Sequence, residues 1–417
     1  MESSWQIKKL GDKEYFQILE SGIDKFEGEK FYLSTSSIEG NKIVVVESAI
    51  TYYKRPSRAN MQPRLNSVWF ARMMNTVKVY SFTEENKDEV DRYILSTGFA
   101  GILCNTQKVL PKYLEKIFLS SWFNRIKDSL ASDKAIQKSL NNEDIENLFI
   151  PIPPLEIQKK IVSILDTIQK AVEIQDRIIE KTKELKKSLM ADLFKYGGPS
   201  FRKGRKLKKT EIGEIPEDWE VVRLGEIYGI RKKPKEIDIF NYSQIPFVKM
   251  EDIGIYDNKI NWELRTPNKI NTNVYFEKGD LLLAKITPCL ENGKQAIANN
   301  LPLNFGFATT EIIPLYSKGN GIITYLHYYL QLKSIRNCLK EFMEGTTGRK
   351  RLPPTILLDL KILLPSLPEQ QEIADILSTI DQKIEIEEKK KRLYEELFKT
   401  VLNKIMNQEI DVENIEI

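Results

Sequence analysis

Hydrophobic and polar positions follow two rhythms along this chain, and each rhythm occurs twice. Residues 1–152 carry short apolar runs: Phe31-Tyr32-Leu33, Ile43-Val44-Val45-Val46 and Val77-Lys78-Val79-Tyr80. Residues 213–366 carry Ile245-Pro246-Phe247-Val248-Lys249-Met250, Leu281-Leu282-Leu283-Ala284-Lys285 and Glu311-Ile312-Ile313-Pro314-Leu315. Such runs between Gly, Asn and Asp read as strands. Helical segments, Tyr113–Ser129 and Ile323–Phe342, are interleaved with them, which predicts an α+β domain in each half. After Pro154 the rhythm changes. No Gly or Pro interrupts the chain to Lys195, and Ile157, Ile161, Ile164, Ile168, Ala171, Ile178, Leu185 and Leu189 form a seam broken by Gln175 and Thr182. Leu165, Val172 and Ile179 make a second stripe beside it. From Pro368 to Met406 the pattern returns as Ile373, Ile376, Ile380, Tyr394, Leu397 and Val401, with Leu377, Ile384 and Phe398 alongside. Steps of three and four predict long amphipathic helices of coiled-coil type, each about 60 Å long at 1.5 Å per residue.

The two halves also repeat in detail. Trp5-Gln6-Ile7-Lys8-Lys9-Leu10-Gly11 returns as Trp219-Glu220-Val221-Val222-Arg223-Leu224-Gly225. Pro153-x-Leu155-x-x-Gln158-x-x-Ile161 returns as Pro365-x-Leu367-x-x-Gln370-x-x-Ile373. Neither helix can stand alone in water with its stripe exposed, so the two are expected to pair. Equal domains on equal helices are best related by a two-fold axis, which makes the helices antiparallel with a domain near each end. The expected fold is thus α+β: two similar α/β domains separated by two long antiparallel coiled-coil helices, a pseudo-two-fold repeat. Its segments are a first domain at 1–152, a central helix at 153–196, a basic linker at 197–212, a second domain at 213–366, a C-terminal helix at 367–408 and an acidic tail at 409–417. Within the second helix, Lys383 and Glu385–Arg392 read as a wetter, solvated stretch. Ile161, Ile164, Ile168, Leu185, Ile373, Ile376, Ile380 and Leu397 are the residues expected between the helices or against a partner.

Composition narrows the function. With 41% hydrophobic residues among 417, the chain can bury real cores. Cys104, Cys289 and Cys338 are scattered and odd in number, which argues against a disulfide framework or zinc site and fits a reducing cytoplasm. No apolar run has the length of a membrane span, and the first residues lack the apolar stretch of a signal peptide, so no membrane association is expected. The net charge is +4 while 29% of residues are charged, so local patches matter more than the total. The basic connector Phe201–Lys209 is open to two readings, a phosphate contact or a soluble linker.

Catalytic chemistry is missing. The sole histidine, His327, lies in a helical run and reads as a packed residue, leaving no His pair for a metal. Neither a phosphate-binding G-x-x-x-x-G-K-[ST] loop nor a dinucleotide G-x-G-x-x-G after a strand occurs. The Pro pairs Pro153-Pro154 and Pro353-Pro354 lack the flanking Asn or Asp and the aromatic residue that an amino-methyltransferase needs. The nuclease-like triplet Asp381-Gln382-Lys383 lies in the predicted rod. The chain reads as a binder with no catalytic residues, metal or cofactor of its own.

These residues resemble the specificity (S) subunit of type I restriction-modification enzymes over essentially the whole chain. The resemblance rests on Gly213–Gly225, Gly279–Pro288, Glu291-Asn292-Gly293-Lys294, Thr310-Glu311 and Leu363–Ile373, in this order and partly duplicated. Copy one departs from the pattern at Glu156-Ile157-Gln158 and at Asn66–Arg72, as two different half-sites would require. The resemblance implies two target-recognition domains that read a bipartite double-stranded DNA sequence, one half each, across an unread spacer set by the helices. It implies docking of two methyltransferase subunits, which bind S-adenosylmethionine, and of restriction subunits, which use ATP and Mg. An orphan DNA-binding or scaffold paralogue without methyltransferase partners is the alternative.

Base readout calls for Arg or Lys on guanine and Asn or Gln on adenine, while phosphates take cations, hydroxyls and backbone N–H groups. The candidates in copy two are Thr346, Thr347, Gly348, Arg349, Lys350 and Arg351, and a second loop with Lys285, Thr287, Asn292 and Lys294. In copy one they are Lys54, Arg55, Arg58, Asn60, Gln62 and Arg64, and, before the long helix, Ser132, Lys134 and Gln137. At each place the alternative is an ordinary solvated loop.

Overall fold

The structure is a computed structural model that describes residues 5–132, 138–255, 258–346 and 348–415, the side chain of Ser132 excepted. The chain forms two compact units, Met1–Asp176 with Lys389–Ile417, and Arg177–Glu388. Each long helix therefore contributes one half to each unit. The helices run unbroken over Leu155–Tyr196 and Leu367–Met406.

The units repeat one topology. In the first, an antiparallel sheet is ordered Phe16–Leu19, Phe99–Cys104, Ser67–Ala71, Val79–Phe82; in the second, Tyr228–Ile230, Ile312–Ser317, Leu281–Ala284, Gln295–Ile297. Ser67–Ala71 and Leu281–Ala284 are buried along their whole length, which is why Leu281–Ala284 reads as a continuous apolar run. A second sheet is ordered Ala49–Ile50, Lys30–Leu33, Tyr93–Ser96, Ala59–Met61 in the first unit. Its counterpart is Glu263–Arg265, Ile245–Val248, Phe305–Ala308, Val274–Glu277, and in both the central pair is parallel.

Three sequence expectations are corrected. Val44, Val45 and Val46 form no strand and stand 52%, 55% and 45% exposed; only Lys42–Ile43 joins a short hairpin. Strand propensity needs a face to pack on, and none covers them. The helix expected at Tyr113–Ser129 is two, Pro111–Leu119 and Ser121–Ser132, broken at extended Ser120, whose hydroxyl donates to the Ile117 carbonyl at 2.6 Å and accepts from the Phe123 N–H at 3.1 Å. The run Ile323–Phe342 divides likewise into Ile323–Tyr329 and Lys333–Glu341.

The repeated motifs join each domain to a helix. Strand Gln6–Lys9 pairs antiparallel with Phe149–Ile152, and Glu220–Arg223 with Lys361–Leu364, the strands that lead into the two helices. The Leu-Gly step continues the ladder: Leu10 N–H donates to the Leu148 carbonyl and Leu224 N–H to that of Leu360. A Cβ on Gly11 would lie 3.0 Å from the Glu146 Cβ, and one on Gly225 3.1 Å from the Leu358 Cβ, so close backbone approach explains both glycines. One turn into each helix, a buried glutamine makes matching bonds. Gln158 accepts from the Leu110 N–H at 2.8 Å and donates to the carbonyls of Lys108 and Pro153 at 2.8 and 2.9 Å. Gln370 accepts from the Ile322 N–H and donates to the Pro365 carbonyl, both at 2.9 Å. Tyr113 and Tyr325 complete the joint by donating to the carbonyls of Pro151 and Leu363.

Within each unit the helix halves run antiparallel. In the first, Ile161 and Leu165 pack with Leu402, Ile405 and Met406; in the second, Met190, Leu193 and Phe194 pack with Ile373 and Leu377. Ile164 and Ile376 flank these cores, and Ile168 and Ile380 are half-buried. Leu185 and Leu397, expected in the seam, are instead 53% and 44% exposed. Counting alternately four and three from Ile161 passes through Leu165, Gln175, Ile179, Thr182 and Lys186, and the same count from Ile373 passes through Ile384, Glu387 and Phe398. Leu185 and Leu397 each sit one residue, or about 100°, off that line. Gln175, Thr182, Lys186 and Glu387 are buried on it, so these polar residues belong to the seam. Ion pairs border it: Asp176–Lys391 at 2.6 Å in the first unit, Lys186–Asp381 at 2.6 Å and Lys183–Glu388 at 2.9 Å in the second.

Replacing Gln158 or Gln370 with Leu strands buried backbone groups. Each variant is expected to lose about 1–3 kcal/mol of stability, read as a lower urea midpoint at unchanged slope, whereas Gln371→Leu, on the exposed face, should cost little.

Candidate nucleic-acid interface

In the second unit the two loops singled out in the sequence form one structure. Strand Leu281–Ala284 ends at Lys285, whose N–H donates to the Glu311 carbonyl at 3.0 Å and whose carbonyl accepts from the Leu352 N–H at 2.8 Å. The Thr287 N–H donates to the Lys350 carbonyl at 3.0 Å, and Arg351 bridges to both Ile286 and Glu344. The turn between has Gly345 and Gly348 at φ +128° and +81°. A Cβ on Gly345 would come within 2.8 Å of the Arg349 carbonyl, so only glycine lets the loop close.

The cations of this loop are not equivalent. Arg351 holds Glu311 with a fork, Nε at 2.9 Å from Oε2 and Nη2 at 2.8 Å from Oε1. That bonding keeps the Glu311 carboxyl below its ordinary pKa. Arg351 thus braces the loop while its side chain stays 51% exposed. Arg349 and Lys350 are exposed, and among the described residues nothing engages their side chains. Thr346 is exposed with its carbonyl accepting from the Arg349 N–H, and Thr347 lies outside the described residues. In the neighbouring loop Lys285 is half-buried and Asn292 exposed. Lys294 donates to the Met250 carbonyl at 2.8 Å and Thr287 to Glu291 at 3.3 Å, so both are occupied within the unit.

The first unit repeats the arrangement with other side chains. Arg72 stands at the end of Ser67–Ala71 as Lys285 does in its own unit, but its Nε donates to the Phe99 carbonyl and its Nη1 to Asn142, both at 2.9 Å. Met74 and Leu140 close the two loops together through N–H bonds to the carbonyls of Lys138 and Arg72. Lys134 and Gln137 lie outside the described residues, as does the side chain of Ser132. Lys54, Arg58 and Arg64 are exposed. Gln62 is half-buried, and Asn60 donates to Ser21 at 2.9 Å. Arg55 instead stacks over Tyr52 at 4.3 Å and bonds its carbonyl, which takes it from the free cations.

Other candidates are spent on the fold. In the connector, Arg202 pairs with Asp192 at 2.6 Å, Arg205 with Asp218 at 2.7 Å and with Glu369, and Lys208 donates to the Glu217 carbonyl. Lys203, Lys206 and Lys209 remain exposed. The acidic tail also packs: Lys160 holds the carbonyls of Glu413 and Ile415, and Val412 is buried. His327 is fully buried between Gln295 and Gln331, and burial pushes its pKa down to about 3. Among the described residues no cluster of His, Cys, Asp or Glu could hold a metal ion, and no helix is long and apolar enough to cross a membrane.

Comparison with known proteins agrees with this duplicated plan. The family model for the type I restriction modification DNA specificity domain matches residues 3–184 and again 216–395. The type I restriction enzyme MjaVIII specificity subunit of Methanocaldococcus jannaschii is 30% identical over 344 residues, 76% of each chain. The EcoAI specificity subunit of Escherichia coli is 33% identical over 179 residues, 40% of this chain and 30% of that one. A chain solved in work on complex assembly and conformational transition of the type I R-M system has a TM-score of 0.62 at 20% identity, covering 96% of this chain and 97% of its own. The S subunit of a type I system from M. genitalium gives 0.51 at 16% identity, covering 96% and 95%; both likenesses are of fold. With two family domains on one repeated frame, the chain belongs to the type I restriction-modification DNA specificity subunits.

Proposed function

We propose that each unit reads one half of a bipartite double-stranded DNA target, and that the long helices dock two methyltransferase subunits and, through the assembly, restriction subunits. The observation that carries this reading is the repeated loop cluster. Each unit ends its central strand in a cation and closes two loops around it; Arg349 and Lys350 are exposed in the cluster of the second unit, and Lys54 and Arg58 are exposed in a separate loop beside the cluster of the first. The frame is the same and the exposed side chains differ, as two different half-sites demand. Catalysis, S-adenosylmethionine, ATP and Mg belong in this reading to the partner subunits, in the cytoplasm. The buried His327 fits a non-catalytic role.

Docking has its own support. Leu393 and Leu397, one turn apart on the second helix, are 54% and 44% exposed. Exposed leucines on a helix already paired along another face suit a protein partner. Changing both to Lys should cut co-purification with a co-expressed methyltransferase subunit at least tenfold and leave DNA binding by the chain intact. Retained co-purification would remove this face from the docking surface.

The exposed loop cations give a second prediction. Arg349→Ala with Lys350→Ala should weaken DNA binding and lower the slope of log affinity against log salt by about 2, roughly one per lost phosphate contact. An unchanged slope would take the loop out of the interface.

A further inference from the structure

The matched topology aligns a loop that the sequences alone do not. In the first unit the chain passes from Ala49–Ile50 to Ala59–Met61 through Thr51-Tyr52-Tyr53-Lys54-Arg55-Pro56-Ser57-Arg58. In the second it passes from Glu263–Arg265 to Val274–Glu277 through Thr266-Pro267-Asn268-Lys269-Ile270-Asn271-Thr272-Asn273. The flanking strands hold the same places in their sheets. Both loops begin with a Thr and form a single 3-10 turn at the same position, Tyr52–Lys54 and Pro267–Lys269, and both end that turn with a Lys. Their last residues are fixed alike: the Arg58 carbonyl accepts from the Asn60 N–H at 2.9 Å and the Asn273 carbonyl from the Tyr275 N–H at 3.0 Å.

Both loops also adjoin the cluster described above. Ala59 pairs with Ser96, and the Thr97 N–H donates to the Arg58 carbonyl; the next residue, Gly98, accepts from the Arg72 N–H. Val274 pairs with Ala308, three residues before Glu311, which accepts from the Lys285 N–H and holds Arg351. Lys54, Arg58, Asn268, Lys269, Asn271 and Asn273 are all exposed, and among the described residues no hydrogen bond or ion pair engages their side chains.

Resting on the specificity reading above, we propose that these two loops are equivalent base-reading loops, and that the position of Arg58 in one unit and Asn273 in the other determines specificity. Lys54 and Lys269, the same residue at the same turn, hold a phosphate and carry no sequence information. Arg58 and Asn273 differ in the way base readout uses: a guanidinium matches the two acceptors of guanine, and an amide matches the donor and acceptor of adenine in the major groove. Asn268 and Asn271 face the same half-site as Asn273.

The test selects bound duplexes from a randomised double-stranded DNA library with the full chain and sequences them. Wild-type protein should return a bipartite motif. Arg58→Asn should change one position of one half-site from guanine towards adenine, and Asn273→Arg one position of the other half-site in the opposite sense, each by about 5- to 100-fold. Lys54→Ala and Lys269→Ala should keep the motif and lower the salt slope by about 1 each. Melting curves matched to wild type establish that the variants are folded, as polar exchanges at exposed positions should be. If folded Arg58→Asn and Asn273→Arg both return the wild-type motif, or if each alters both half-sites, the assignment of these loops is overturned while the specificity reading stands. A wild-type chain that returns no bipartite motif overturns that reading, and this one with it.

Discussion

A buried glutamine one turn into each long helix is the constraint on which each unit depends. Gln158 and Gln370 are sealed from solvent, and each amide accepts from one loop N–H of its domain and donates to the carbonyl of the proline five residues before it. A net hydrogen bond is worth only about 1 kcal/mol, but a buried backbone group left unpaired costs about 1–3. The amide therefore acts less by adding attraction than by making other placements of the domain on the helix costly. The Leu-Gly ladder and the Tyr113 and Tyr325 hydroxyls reach the same short stretch, so strand, loop and helix meet at one joint in each unit. The loops of each domain inherit their position from it.

Beside the repeated joint, the two units use different chemistry. Lys116, 1% exposed, pairs with Asp166 at 2.7 Å and donates to Gln169 at 2.9 Å, tying the first domain to its helix through a buried charge. At the matching place in the second unit Tyr328 donates to Asp381 at 2.8 Å, and Asp381 also pairs with Lys186. A buried ion pair adds little net stability against an apolar contact of equal volume, but breaking one partner is costly, so such pairs are suited to specifying one arrangement. The polar seam residues Gln175, Thr182, Lys186 and Glu387 follow the same logic: an uninterrupted apolar seam would tolerate several registers of two helices, and polar positions restrict them.

The repeat, the class of each half and the two long helices were legible in the sequence, because each is written in local periodicity or in spaced motifs. The motif residues were also visible as motifs, although not their purpose: Gln158 and Gln370 announce themselves by recurrence, and only their bonds show that they clamp a domain. The seam was misread where polar residues occupy it, since Leu185 and Leu397 look like seam residues to any count that excludes Gln175 and Glu387. Among the candidate contacts, sequence could list the cations but not their employment. Arg351 and Arg55 are held by Glu311 and Tyr52, while Arg349, Lys350, Lys54 and Arg58 face solvent.

By itself, then, the sequence determined the duplication, the α+β class of each half and the two long helices, because these depend on residue types at short, fixed separations. Tertiary structure decided which charges are free and which loops correspond. Thr51–Arg58 and Thr266–Asn273 share little beyond a Thr and a Lys, and their equivalence rests on the strands they join. A side chain's availability depends on what folding brings beside it, and for Arg351 that neighbour, Glu311, lies forty residues away.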